Sequence, residues 1–293
     1  PNPEKYKRLH ESLRQYNVPI VVFGLGIQAV ERDINNVSLC QEAIELLEFL
    51  ASKSKLLGVR GEFTKKVIEK CTNIKNVFVT GCPSLFSDPV ALRRLHARDI
   101  NNNTGLASIN VTNFSRPLEK RLFELAVLND SFFIEPVNKR THQYYLDTIK
   151  KTDTDVPYYF KQMEDNKEYS LKTGSISLYL STRYKLFRNT KPWYEFNQEF
   201  VDFTVGTRFH VNMASILSGV PALWLTHDAR TLELTEFFNL PNISLSEIQN
   251  LSLEDIKKKI DYTIFFEKID GLFDNFNYYL TANGLPKIKT FSE

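Results

Sequence analysis

The sequence predicts an α/β protein with two parallel-sheet domains whose sheets are covered by helices. Three observations predict it. Short β-rich runs alternate with segments of helical period along nearly the whole chain. The length of 293 residues is about twice that of a typical domain. Hydrophobic residues at 42% and charged residues at 25% give an ordinary globular composition, neither disordered nor fibrous.

The elements follow in order. An apolar run over 18–24 ends in Gly24-Leu25-Gly26 and reads as a first strand; Cys40, Ala43, Ile44, Leu47 and Leu50 then repeat at helical spacing. A second strand is expected over 55–59, followed by a helix with Phe63, Val67, Ile68 and Cys71 on one face. A third is expected over 76–80, where Gly81-Cys82-Pro83 turns the chain because proline cannot continue a central strand. The stretch 88–105, with Arg93, Arg94, His96, Arg98 and three consecutive asparagines, reads as a linker, which places a domain boundary near residue 100. Beyond it the alternation restarts: strand 106–111, helix 116–128, strand 131–135, helix 141–151, an aromatic strand over 156–160, helix 176–188, strand 200–205, helix 209–218, strand 220–226 and helix 229–238. Leu253, Ile256, Ile260 and Ile264 close the chain at helical spacing. The expected domains are therefore 1–100 and 101–293. Three strands are few for an open parallel sheet, so the first domain is expected either to borrow structure from a partner chain or, the favoured reading, to be truncated at its N-terminal end.

Composition excludes some partners. With 37 Lys+Arg against 35 Asp+Glu the net charge is +2, far from the basic excess of a phosphate-backbone binder, so no nucleic-acid partner is expected. No apolar run reaches the roughly 18–20 residues of a membrane span. Three scattered cysteines, Cys40, Cys71 and Cys82, form neither an even disulfide set nor a metal-ligand spacing, which points to a reducing, cytoplasmic location and to no metal.

The densest polar signal is the run from Phe200 to Ser215, a strand, a glycine turn and the first turn of a helix. In a parallel sheet this is the carboxyl edge, where ligands bind. Free N–H groups at the helix start favour an anion, Arg208 adds a fork of donors, and His210 can carry a proton near neutral pH. The next strand delivers His227, Asp228 and Arg230 to the same kind of junction, so all five residues are expected on one rim. Asp228 serves either as helix N-cap or as a functional carboxylate. Glu233 reads as a solvated helix charge. Gly24 and Gly26 allow close backbone approach by a ligand or by the opposite domain, with Gln28 in the same loop. Arg60 ends the second strand and, taken alone, reads as structural. Trp193, Tyr194 and Phe196 read as packing residues rather than a sugar platform.

Taken together, Phe23-Gly24-Leu25-Gly26-Ile27-Gln28, Gly58-Val59-Arg60-Gly61-Glu62, Val79-Thr80-Gly81-Cys82-Pro83-Ser84-Leu85, Gly206-Thr207-Arg208-Phe209-His210, Gly219-Val220-Pro221 and His227-Asp228-Ala229-Arg230-Thr231 resemble the polysaccharide pyruvyl transferase family. The Arg-x-His with its downstream Gly-Val-Pro and His-Asp-x-Arg-Thr is the specific part. The resemblance implies two Rossmann-like domains in a GT-B-like arrangement, with phosphoenolpyruvate as donor and a saccharide, lipid-linked or nucleotide-linked, as acceptor. The sequence departs from the family at Cys82, where an aspartate is usual, at Val211, where a glycine is common, and in lacking the usual Asn-x-Gly-Asp opening. Cys82 is expected to be a structural thiol.

The chemistry so implied assigns roles. Arg208, with Arg60 or Arg230, binds the carboxylate and phosphate of the donor; Gly24, Gly26 and Gln28 complete the substrate contacts. His210 protonates the methylene carbon, and Asp228 or His227 accepts hydroxyl protons. No step calls for a cofactor. Two alternatives stand beside this: a GT-B-like glycosyltransferase using a nucleotide sugar, and a degenerate sugar-binding protein. A homo-oligomer is compatible with each.

Overall fold

The computed structural model describes residues 2–29, 32–99, 105–152 and 155–293. It is α/β, and every strand pairing among the described residues is parallel. The chain forms two compact units. Unit 1 runs through Pro89 and takes in His227–Leu240 and Thr263–Glu293; unit 2 comprises Val90–Thr226 and Pro241–Tyr262.

The boundary expected near residue 100 thus falls between Pro89 and Val90, and the closing segments are shared between the units. The reason is the helix Pro89–Ala97, which the sequence presented as linker. Ala91, Leu92 and Leu95 are buried on one face while Arg94 and His96 are exposed, so the polar residues are the outer half of an amphipathic helix. Arg98 then donates to the Val201 carbonyl at 3.1 Å, fixing this segment to unit 2. The three asparagines at 101–103 lie outside the described residues.

In unit 1, β1 (Leu57–Val59) and β2 (Val77–Val79) form a two-stranded sheet. The expected first strand is instead an extended segment that meets β1 through one bridge, Leu25↔Val59. Gly24, at φ +62°, turns the backbone out of the pleat just before that contact. Helix Gln41–Lys53 buries Ala43, Leu46, Leu47 and Leu50, the spacing of one helical face; Leu46, Leu47 and Leu50 pack with Leu57, Val59, Ile68, Val77 and Val79. The last helix, Thr263–Ala282, packs within unit 1 through Phe276, stacked on Phe86 at 4.2 Å between ring centroids. The closing periodicity is broken in two, since the helix Leu253–Lys257 lies in unit 2 and Ile264, expected on the same buried face, is 48% exposed.

Unit 2 holds a six-stranded sheet of β3 (Leu106–Asn110), β4 (Phe132–Ile134), β5 (Tyr184–Lys185), β6 (Val201–Gly206), β7 (Ala222–Thr226) and β8 (Asn242–Ser244), in spatial order β5-β4-β3-β6-β7-β8. The chain steps outward from β3 to β5, then returns to the other side of β3 and steps outward to β8. That reversal is the doubly wound topology, and its switch point lies between β3 and β6. β6 and β7 are buried along their whole length, as a parallel strand covered on both faces should be. Two expectations fail here. Where an aromatic strand was expected over 156–160, the chain enters the helix Tyr158–Asp165 at Tyr158, because Tyr159, Phe160 and Met163 bury one helical face. The edge position goes instead to the short β5, which follows the helix Ser175–Arg183. Trp193 and Phe196 sit on the helix Thr190–Phe200 and pack on Phe187 and Phe132, in keeping with a packing role.

Candidate functional site

At the switch point of unit 2, β6 ends in Gly206 opposite Asn110 of β3. A Cβ on Gly206 would lie 2.3 Å from the Cγ, Oδ1 and backbone O of Asn110, so only hydrogen fits. That close approach lets the buried Asn110 organise the turn. Its Oδ1 accepts from the Arg208 N–H at 2.8 Å, and its amide donates to Asn212 Oδ1 at 2.7 Å. Asn212 in turn donates to the carbonyls of Gly206 and Leu223, at 3.1 and 3.0 Å. Thr207 is tied to the other side: its hydroxyl donates to Glu119 Oε2 at 2.8 Å and accepts from the Thr112 N–H at 2.8 Å. Glu119, fully buried, also accepts from the Thr112 and Asn113 N–H groups, pinning the loop after β3. Helix Phe209–Ile216 starts from this frame.

Arg208 is held by the same frame. Nε donates to the Val111 carbonyl at 2.8 Å, and Nη2 donates to Glu135 Oε2 at 2.8 Å. The Arg208 side chain is 17% exposed and that of Glu135 1%, so the guanidinium charge is compensated inside the unit. His210 is exposed on the first turn of the helix, with the Phe209 ring edge-on at 5.4 Å. Val211, where the family commonly has glycine, is buried in the core.

The other candidates gather in unit 1. Arg60 donates from Nε to the Gly24 carbonyl at 2.8 Å. A Cβ on Gly26 would stand 2.7 Å from Arg60 Cδ, and one on Gly24 would meet Pro83 Cδ at 3.1 Å. The two glycines therefore make room for Arg60 and Pro83, where the sequence suggested a ligand or a facing domain. Burial pushes the Arg60 guanidinium down from its ordinary value, and the like charge of Arg230 adds to this, against the opposing pull of Cys82, Glu233 and Asp228. Arg60 and Arg230 thus share one neighbourhood. Asp228 caps the helix Ala229–Phe238 through the Thr231 N–H at 2.7 Å, and its Oδ2 lies 3.7 Å from His227 Nε2 and 3.8 Å from Arg230 Nη2. Gln28 is exposed between Ile27, whose N–H donates to Thr64 Oγ1, and Ala29, whose carbonyl accepts from the Ala229 N–H. Cys82 is buried, its Sγ 3.1 Å from Ser84 Oγ.

Of the five residues expected on one rim, Arg208 and His210 belong to unit 2 and His227, Asp228 and Arg230 to unit 1, because the segment 227–240 is built into unit 1. Glu233 is part of the reason. It is buried rather than solvated, and its two oxygens accept from the Thr64 N–H at 3.0 Å and the Thr64 hydroxyl at 2.8 Å. It thereby satisfies an N–H at the start of the helix Glu62–Cys71, and Gly61 leaves it the space, since a Cβ there would lie 2.8 Å from Glu233 Oε2. Burial holds the Glu233 carboxyl above its ordinary range, against the two Thr64 hydrogen bonds and the charges of Arg60 and Arg32. A raised folded-state value means that its contribution to stability is complete in acid, below the ordinary carboxylate range, and is lost as pH climbs through the raised value. Glu233→Gln can still accept from the Thr64 N–H and donate to the Thr64 hydroxyl, so it is expected to remove this decline. Thermal unfolding of both proteins from about pH 4 to about pH 8 checks it; parallel stability curves would refute the assignment.

Glu135 and Glu119 were not singled out by sequence reasoning. For Glu135 a signal existed: a carboxylate directly after the apolar run Phe132-Phe133-Ile134, at the carboxyl end of a strand.

Residues 2–229 match the family model of polysaccharide pyruvyl transferase. The chain belongs to the polysaccharide pyruvyl transferase family. Pyruvylation of polysaccharide is the activity for which that family is named. No curated protein matches the chain. Among solved structures it is similar to Methanocaldococcus jannaschii UDP-GlcNAc 2-epimerase in complex with UDP-GlcNAc and UDP, at 14% identity and a TM-score of 0.40, over 86% of this chain and 63% of that one. No helix among the described residues of this family member is long and apolar enough to cross a membrane.

Proposed function

We propose that the protein moves the pyruvyl group of phosphoenolpyruvate onto two hydroxyls of a lipid-linked or nucleotide-linked saccharide, forming a ketal in the cytoplasm. The observation that carries this reading is the switch point itself. In a chain of this family, one strand-to-helix turn holds a guanidinium rigidly and presents an imidazole two residues later. Arg208 is the anion ligand that this turn supplies. His210 gives a proton to the methylene carbon, which makes the neighbouring carbon electrophilic. One sugar hydroxyl adds to that carbon, the bond to the phosphate oxygen breaks, and a second hydroxyl closes the ketal. Of the two hydroxyl protons, one restores the proton consumed at the methylene and the other leaves with phosphate.

Calorimetric titration with phosphoenolpyruvate and then with nucleotide sugars tests the donor. Saturable binding of phosphoenolpyruvate is expected; binding of a nucleotide sugar alone would replace this reading with glycosyl transfer. His210→Ala is expected to keep donor affinity within about tenfold while abolishing phosphate release in the presence of saccharide acceptors, because an imidazole supplying a proton adds little to ground-state binding. The opposite pattern, lost affinity with retained turnover, would remove His210 from the acid role.

A further inference from the structure

We infer that Glu135 is a positioning residue for Arg208, fixing the guanidinium so that Nη1 alone is presented to an anionic ligand. The inference rests on the reading above for the identity of that ligand, phosphoenolpyruvate, but not for the geometry.

Glu135 follows β4, and both of its oxygens are occupied as acceptors. Oε1 takes the N–H groups of Val137 and Asn138, at 2.8 and 3.0 Å. Oε2 takes Arg208 Nη2 at 2.8 Å and Arg208 Nε at 3.3 Å. The backbone turn at 135–138 therefore aims the carboxylate, and the carboxylate aims the arginine. The turn is itself anchored, because Asn138 caps the helix Lys139–Lys150 through the N–H groups of Arg140 and Thr141. With Nε and Nη2 engaged by Glu135 and Val111, Nη1 is the guanidinium nitrogen with no partner among the described residues.

Only a carboxylate meets this demand. Glutamine would turn its NH₂ either on the two backbone N–H groups or on the guanidinium, donor against donor. The pairing has an electrostatic consequence too. Since the Glu135–Arg208 pair is neutral as a unit, an anion gains from Arg208 a directed hydrogen bond rather than an uncompensated charge. Sensitivity of anion binding to ionic strength then comes from cations that lack such a partner, and removing the Glu135 charge should increase it.

The test uses the full chain, with phosphoenolpyruvate as probe, in calorimetric titrations at low and high salt. A second readout needs no ligand: the rate at which phenylglyoxal labels Arg208, followed by peptide mass spectrometry. Glu135→Gln is expected to weaken phosphoenolpyruvate about tenfold, to steepen the salt dependence and to label faster at Arg208. Arg208→Lys, which cannot serve Glu135 and the ligand from separate nitrogens, is expected to weaken it further. The double variant Glu135→Gln/Arg208→Lys should be no weaker than Arg208→Lys alone, because the two side chains act as one unit. Glu135→Gln within twofold of wild type in affinity and labelling, or losses that multiply in the double variant, would overturn the inference. Should Glu135→Gln fail to fold, Glu135→Asp takes its place; it keeps the charge but is one methylene too short to hold both the turn and the arginine, and wild-type affinity and labelling in it would overturn the inference equally. Wild-type protein that binds no phosphoenolpyruvate would remove the proposed donor, and the labelling rates would then decide the positioning role by themselves.

Discussion

Arg208→Ala is expected to lose donor binding and a large part of the stability of unit 2 together. The substitution leaves Glu135, with a side chain only 1% exposed, without the guanidinium that compensates it. Breaking a buried pair from one side costs about 3–5 kcal/mol, since the remaining charge stays desolvated. The Val111 carbonyl loses its donor as well. Urea unfolding should show the loss, and titration with phosphoenolpyruvate should show affinity reduced about a hundredfold or more, the loss of a charge-assisted contact. Removing both partners separates the two effects. Arg208→Ala/Glu135→Ala should regain part of the stability, because no buried charge is stranded, while donor binding stays lost. If the single substitution leaves the unfolding midpoint unchanged, the buried-pair account is wrong.

Gly206→Ala is expected to be nearly as damaging, for a steric reason. The new methyl would stand 2.3 Å from the Cγ, Oδ1 and backbone O of Asn110. A flexible side-chain tip can move aside; a backbone carbonyl inside the β3–β6 pairing cannot, because Thr207 N–H bonds to it and the strands are in register there. Overpacking of this kind costs about 1–3 kcal/mol in a core, and the involvement of backbone places this case at about 3 kcal/mol. Displacing Asn110 also frees the Arg208 N–H and the acceptor Oδ1 of Asn212, so the frame that holds the arginine loosens. Chemical denaturation and phosphoenolpyruvate titration measure both consequences. Wild-type stability in Gly206→Ala would show that the two strands can part without disturbing the turn.

Much of the architecture was legible because periodicity is local. The helix Gln41–Lys53 follows from Ala43, Leu47 and Leu50, and the β6–turn–helix unit from Val201 to Ser215, without knowledge of any distant residue. The same locality explains the errors. In 156–160 a short aromatic run fits a strand or a buried helix, and the choice depended on which face met a neighbour. In 88–99 the charged residues dominated the pattern, although Ala91, Leu92 and Leu95 were a helix face waiting for unit 2.

The sequence by itself determined the parallel α/β class, the family, and the placement of Arg208 and His210 at a strand-to-helix junction, because each is written in neighbouring positions. Only the tertiary structure decided what those groups can do. Glu135 meets Arg208 across 73 residues, and Glu233 meets Thr64 across 169, so whether an arginine is compensated or a glutamate buried depends on pairings that no local spacing encodes. The same holds for Arg60 and Arg230, far apart in the chain and brought into one electrostatic neighbourhood because the segment 227–240 folds into unit 1. Burial and charge compensation are properties of the packed interior, where a lone charge is costly and every buried donor needs an acceptor. Those demands are settled only when the distant segments meet.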